Sequence, residues 1–151
     1  MNFRRLLVPM TLLFAVPLLA ACGSDEPTST PEPTGPSPTL VDVELTEWGV
    51  VPIVTQSGSG TTVFHVTNSG ALEHELVVFK TGLGADELPL GDDGKVDESA
   101  GEVIGEIEPG ELQPGTEASA TFSLGAANYI LLCNLPGHYQ AGMRAVFTLD
   151  N

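Results

Sequence analysis

Apolar and polar residues alternate with a period of two over several short stretches of the chain. Val41, Val43 and Leu45 interleave with Asp42, Glu44 and Thr46, the signature of a strand with one face buried. Thr61 to Asn68 repeats the pattern and closes on the turn sequence Asn68-Ser69-Gly70. Glu75 to Lys80 is continuously apolar through Leu76, Val77, Val78 and Phe79, as a strand covered on both faces is. Ala118 to Leu124 alternates again, Tyr129 to Cys133 is apolar and aromatic, and Arg144 to Leu149 forms a last strand. Short strands punctuated by Gly and Pro turns predict an all-β Greek-key sandwich.

One stretch departs from this rhythm. Thr81 to Glu117 carries 11 acidic residues, a single lysine and only short apolar patches such as Val103-Ile104 and Ile107. It is expected to be a long acidic excursion with little regular structure: a short helix near Ala85 to Leu88 and one or two short strands. Gly91-Asp92-Asp93-Gly94-Lys95 lacks the glutamate that closes an EF-hand loop, so a solvated loop is expected there rather than a calcium site.

The N-terminus stands apart from the fold. Arg4 and Arg5 precede an apolar run, Leu6 to Leu19, that ends in Leu19-Ala20-Ala21-Cys22. A run that short falls below the ~18 residues of a spanning helix and reads as a secretory signal. Its last four residues resemble a bacterial lipobox, which implies cleavage before Cys22 and lipidation of that cysteine. Residues 1–21 are then the signal peptide and 22–39 a lipidated linker, with Pro27, Pro31, Pro33, Pro36 and Pro38 among small polar residues. Residues 40–151 form one domain, membrane-tethered and facing the periplasm or the cell exterior.

Charge narrows the partners. Beyond the signal only Lys80, Lys95 and Arg144 are fixed cations against 20 acidic residues, a net charge of −17. Nucleic acid is excluded on those grounds; a basic protein partner is favoured. With Cys22 lipidated, Cys133 is left without a disulfide partner. An unpaired thiol in an oxidising compartment is accounted for by a role such as metal ligation.

Cys133 begins the segment with the most chemistry: Cys-Asn-Leu-Pro-Gly-His-Tyr-Gln-Ala-Gly-Met, in which Cys133, His138 and Met143 are spaced by four residues each. A thiolate, an imidazole and a weak thioether suit a copper electron-transfer site. The apolar strand with Tyr129 before Cys133, the spacing, and the strand after Met143 together resemble the C-terminal ligand loop of cupredoxins, the type 1 blue copper proteins. The four-residue spacings are most similar to the rusticyanin and sulfocyanin branch. The resemblance implies a cupredoxin sandwich holding one type 1 copper. It also implies a first histidine after a turn and at the head of an apolar strand, which His74 matches. His65 lies mid-strand without such a turn and reads as a surface residue.

Further expectations follow from the resemblance. Many relatives tie the residue after the first histidine to the residue after the cysteine. Here those are Glu75 and Asn134, and the expected tie has the Glu75 carboxylate accepting from the Asn134 amide. Leu135, Pro136, Tyr139 and Ala141 are expected to form an apolar electron-transfer patch around His138. The implied function is a one-electron carrier, not an enzyme, acting as a monomer with a redox partner such as a cytochrome or an oxidase. A copper carrier or store using the same site stays open, as does a metal-free interaction module.

Overall fold

A computed structural model describes residues 37–56 and 60–150. The signal, Cys22 and most of the linker lie outside the described residues. Among the described residues no helix is long and apolar enough to cross a membrane.

The period-two segments become strands. In chain order they are β1 (Thr39–Thr46), β2 (Gly49–Gln56), β3 (Thr62–Asn68), β4 (Leu76–Lys80), β5 (Glu102–Ile107), β6 (Glu117–Phe122), β7 (Ala127–Leu132) and β8 (Arg144–Leu149). They form two four-stranded sheets, ordered β2-β1-β3-β6 and β5-β4-β7-β8. The β1–β3 pair is parallel and every other pair antiparallel, so the chain crosses over in Greek-key fashion. β2 lies against β8, and β5 against β6, which brings the two sheets together along both margins.

Burial follows the pattern that predicted the strands. Along β1 Val41, Val43 and Leu45 are buried while Asp42 and Glu44 are exposed. They share one core with Phe64 and Val66 of the same sheet and with Leu76, Val78, Leu131 and Phe147 of the other. The Phe64 ring meets Phe147 edge-on at a centroid distance of 5.4 Å, a geometry aromatic pairs favour beyond simple area burial. β4 is buried on both faces: Leu76 and Val78 face the inter-sheet core, while Val77 and Phe79 face a second cluster with Leu88, Val96, Ile130, Leu132 and Tyr139.

That second cluster changes the picture of the acidic segment. The stretch expected to be helical near Ala85 to Leu88 is a turn, closed by Glu87 N–H to Gly84 O at 3.0 Å. The residues are instead held by Leu88 and Val96, whose side chains insert into the cluster. Glu98–Ala100 is a single turn of 3₁₀ helix, capped by the Asp97 carboxylate on Ser99 N–H at 2.9 Å. β5 then joins the edge of the second sheet. β2, which the apolar pattern does not pick out, is the other difference. Val51, Ile53 and Val54 are all exposed there, so the strand lacks alternation, and Pro52 is tolerated because β2 is an edge strand.

Candidate metal centre

Sheet register brings distant residues together at one end of the sandwich. β7 and β8 are antiparallel with Leu132 opposite Arg144. The next rung is Cys133 N–H to Met143 O at 3.1 Å. Residues 133–143 are therefore the loop of one hairpin. β4 pairs with β7 so that Val77 lies opposite Leu132, a register that, continued, sets Leu76 beside Cys133 and Glu75 beside Asn134, with His74 just beyond.

Within the loop, His138–Ala141 form one helical turn. Gly137 precedes it at φ 84° and Gly142 ends it at φ 124°, conformations that favour glycine. A Cβ on Gly142 would also lie 3.0 Å from the Trp48 carbonyl oxygen. Met143 N–H bonds to His138 O at 3.1 Å, so the turn folds the chain at Met143 back towards His138.

His74 Nδ1 lies 3.3 Å from His138 Nδ1, and Cys133 Sγ lies 3.3 Å from the same His138 atom. One donor atom from each of His74, Cys133 and His138 falls within 4.8 Å of the others. His74, Cys133 and Met143 are fully buried, while His138 is half-buried. One edge of that ring reaches solvent as its Nδ1 points inward.

The charges around these donors fit a cation. Burial pushes the Cys133 thiol up to about 11, against the opposing pull of the Glu75 and Leu135 main-chain N–H groups. The Glu75 N–H to Sγ contact is 3.5 Å. Burial, and secondarily the nearby His138, lower the pKa of His74, which favours the neutral ring a metal needs. Two facing imidazole nitrogens and a thiol, with contacts of 3.3 Å to the shared His138 Nδ1, offer a soft cation three donors at one point.

The loop around the donors is clasped from outside. Asn134 Oδ1 accepts from Val96 N–H at 2.6 Å, and its Nδ2 donates to Val96 O at 3.3 Å and Glu98 Oε1 at 2.9 Å. Gly137 N–H donates to Gly94 O at 3.1 Å. Tyr139 OH donates to Ala85 O at 2.6 Å and accepts from Leu88 N–H at 3.2 Å. Arg144 stacks 4.9 Å over the Tyr139 ring and bonds Asp86 at 2.6 Å. The acidic excursion is thus the outer wall of the ligand loop.

Two sequence expectations are revised here. The Asn134 side chain does not reach Glu75, because Val96 and Glu98 occupy it; it is the main-chain N–H of Asn134 that bonds the Glu75 carboxylate. That bond opposes the burial that raises the Glu75 pKa. Tyr139 is no part of a surface patch: the helical turn directs its ring into the second cluster, leaving it buried. Leu135 is half-buried against the core, whereas Pro136 and Ala141 are exposed. Trp48, 60% exposed with its carbonyl at Gly142, and Leu72, two residues before His74, are exposed apolar side chains the sequence did not single out. His65 sits on the outer face of the first sheet, 3.5 Å from Asp42 and 3.6 Å from Glu117, away from the centre.

Two histidines, a cysteine and a methionine at the end of a two-sheet Greek-key sandwich define a cupredoxin, and these four residues fit one type 1 copper ion. Comparisons agree. The sulfocyanin (SoxE) domain description matches residues 32–151, and the chain belongs to that family. Sulfocyanin of Sulfolobus acidocaldarius is 27% identical over 108 residues, which cover 70% of this chain and 54% of that protein. This chain therefore spans about half the length of that relative. Reduced auracyanin from Roseiflexus castenholzii superimposes with a TM-score of 0.51 at 23% identity, over 75% of this chain and 98% of that one. Reduced rusticyanin gives 0.50 at 15% identity, over 75% of this chain and 79% of that one. Both likenesses are of fold.

Proposed function

We propose that this protein is a one-electron carrier, anchored by lipid on Cys22 at the outer face of the membrane, that serves a redox protein with a basic docking face. The observation that carries the reading is the closed geometry of the centre. Three of the four donor side chains are fully buried and only the edge of His138 reaches solvent. Such a site lets electrons through and leaves no position for a substrate, which argues against enzymatic catalysis.

Held by Cys133, His74, His138 and Met143, copper would supply a one-electron couple, since thiolate, imidazole and thioether donors suit both of its oxidation states. The protein supplies rigidity. Cys133 is held by the β7–β8 rung and by N–H groups aimed at its sulfur, His74 by its main-chain bond to Leu112 O at 3.2 Å, and the loop by its outer clasp. Ligands that cannot move far suit both oxidation states moderately well, so transfer requires little rearrangement. Pro136, Ala141 and the exposed Trp48 supply apolar surface on this end of the molecule.

The test compares two rates on copper-loaded protein: electron exchange with a basic cytochrome, and copper release to a chelator. Fast exchange with slow release is expected. Rapid release with sluggish exchange would overturn the carrier-of-electrons reading in favour of a carrier of copper.

A further inference from the structure

The tautomer of His74 has a consequence outside the four ligands. With Nδ1 turned to the metal centre, the ring proton must sit on Nε2. Nε2 is buried, and it has no hydrogen-bond partner among the described residues. Buried donors are seldom left so, and histidines that ligate metals commonly give this proton to an oxygen nearby.

Two oxygens border the same gap beside Gly70. A Cβ built on Gly70 would lie 3.0 Å from His74 Nε2, 2.8 Å from Glu47 Oε1 and 3.2 Å from Asn68 Oδ1. Three polar atoms thus surround a point that only a glycine leaves open. Asn68 is already committed: its Nδ2 donates to Leu72 O and Leu112 O, both at 2.8 Å, and its Oδ1 accepts from Gly70 N–H at 2.9 Å. Glu47 accepts from Ala71 N–H and, as a carboxylate, keeps lone pairs free. It lies far from the ligands in sequence, in the turn between β1 and β2, and the β1–β3 register of Leu45 against Asn68 carries it there.

We propose that Glu47 is a positioning residue of the copper centre, its carboxylate taking the Nε2–H of His74 through the gap that Gly70 leaves. The inference rests on the copper reading of the site. The carboxylate fixes Nδ1 as the metal-binding nitrogen and sets a negative charge behind the ligand, which favours the oxidised state. A glutamate side chain is ionised at neutral pH, so the charge is present there.

The test uses the full chain with Glu47→Gln and Glu47→Ala. Three readouts are taken: the blue band on Cu(II) addition, the reduction potential, and the His74 Nε2–H signal by ¹⁵N NMR in the Cu(I) form. All three proteins are expected to turn blue. Glu47→Gln keeps an oxygen acceptor and the Nε2–H signal but shifts the copper equilibrium about threefold to tenfold towards Cu(I), tenfold being about 59 mV for one electron. Glu47→Ala shifts it likewise and loses the slowly exchanging Nε2–H. A wild-type potential in Glu47→Gln, or an unchanged Nε2–H signal in Glu47→Ala, overturns the role of Glu47 while the copper reading stands. A wild-type chain that stays colourless overturns both.

Discussion

Cys133 has the most constrained chemistry in the molecule. Its thiol, pushed up to about 11 chiefly by burial, is protonated at neutral pH in the metal-free protein, whereas the metal binds the thiolate. His74, its pKa lowered by burial, is neutral there and has no proton to lose. Copper uptake near neutral pH should therefore release about one proton per ion, and affinity should rise about tenfold per pH unit as proton competition at Cys133 eases. A pH-stat titration checks this, and uptake without proton release would contradict the thiolate's role. Gly70 gives a second prediction. A Cβ there would meet Glu47 Oε1 at 2.8 Å and His74 Nε2 at 3.0 Å, so Gly70→Ala should cost about 1–3 kcal/mol in thermal unfolding and weaken copper binding. The four ligands were legible from residue types and spacing because donor chemistry is local to a side chain. Glu47 was not, since nothing in sequence links residue 47 to residue 74; only strand pairing does.

The elements around the site show where patterning succeeds and where it stops. β1, β3, β4, β7 and β8 were legible because each buries one face or both, and burial writes its period into the sequence. β2 was illegible because Val51, Ile53 and Val54 are apolar yet exposed, which erases the polar alternation of a half-buried strand. Segment 81–117 reads by composition as an acidic excursion with little regular structure, yet Leu88 and Val96 anchor part of it in a cluster with Tyr139. Two apolar residues among many acids carry no periodic signal. Its role as a clasp predicts that Tyr139→Phe, which leaves Leu88 N–H and Ala85 O without the phenol, lowers stability by about 1–3 kcal/mol. Asn134→Ala should cost about as much by stranding Val96 N–H. Thermal melts of the metal-free variants measure both. If the clasp also stiffens the ligand loop, electron self-exchange should slow in the copper-loaded variants more than their potentials change. Unaltered melts would remove the clasp from the account.

At the scale of the whole molecule, charge governs encounter. The chain carries 20 acidic residues against 5 basic ones, a formal charge of −15, and two of those basic residues are Arg4 and Arg5. A field of that sign speeds encounter with a basic partner and is screened by salt over a Debye length of about 8 Å at physiological ionic strength. Electron exchange with a basic cytochrome should slow as ionic strength rises, and exchange with an acidic one should quicken; stopped-flow mixing over a salt series reads both slopes. A rate independent of salt would show that the apolar end of the molecule alone governs docking. The predictions on copper uptake and electron exchange stand on one claim, that His74, Cys133, His138 and Met143 hold a type 1 copper. The most direct test is the visible spectrum of the purified protein on addition of Cu(II). An intense blue colour that disappears in Cys133→Ala is the predicted result; a colourless protein, or a blue colour that survives that substitution, would contradict the account.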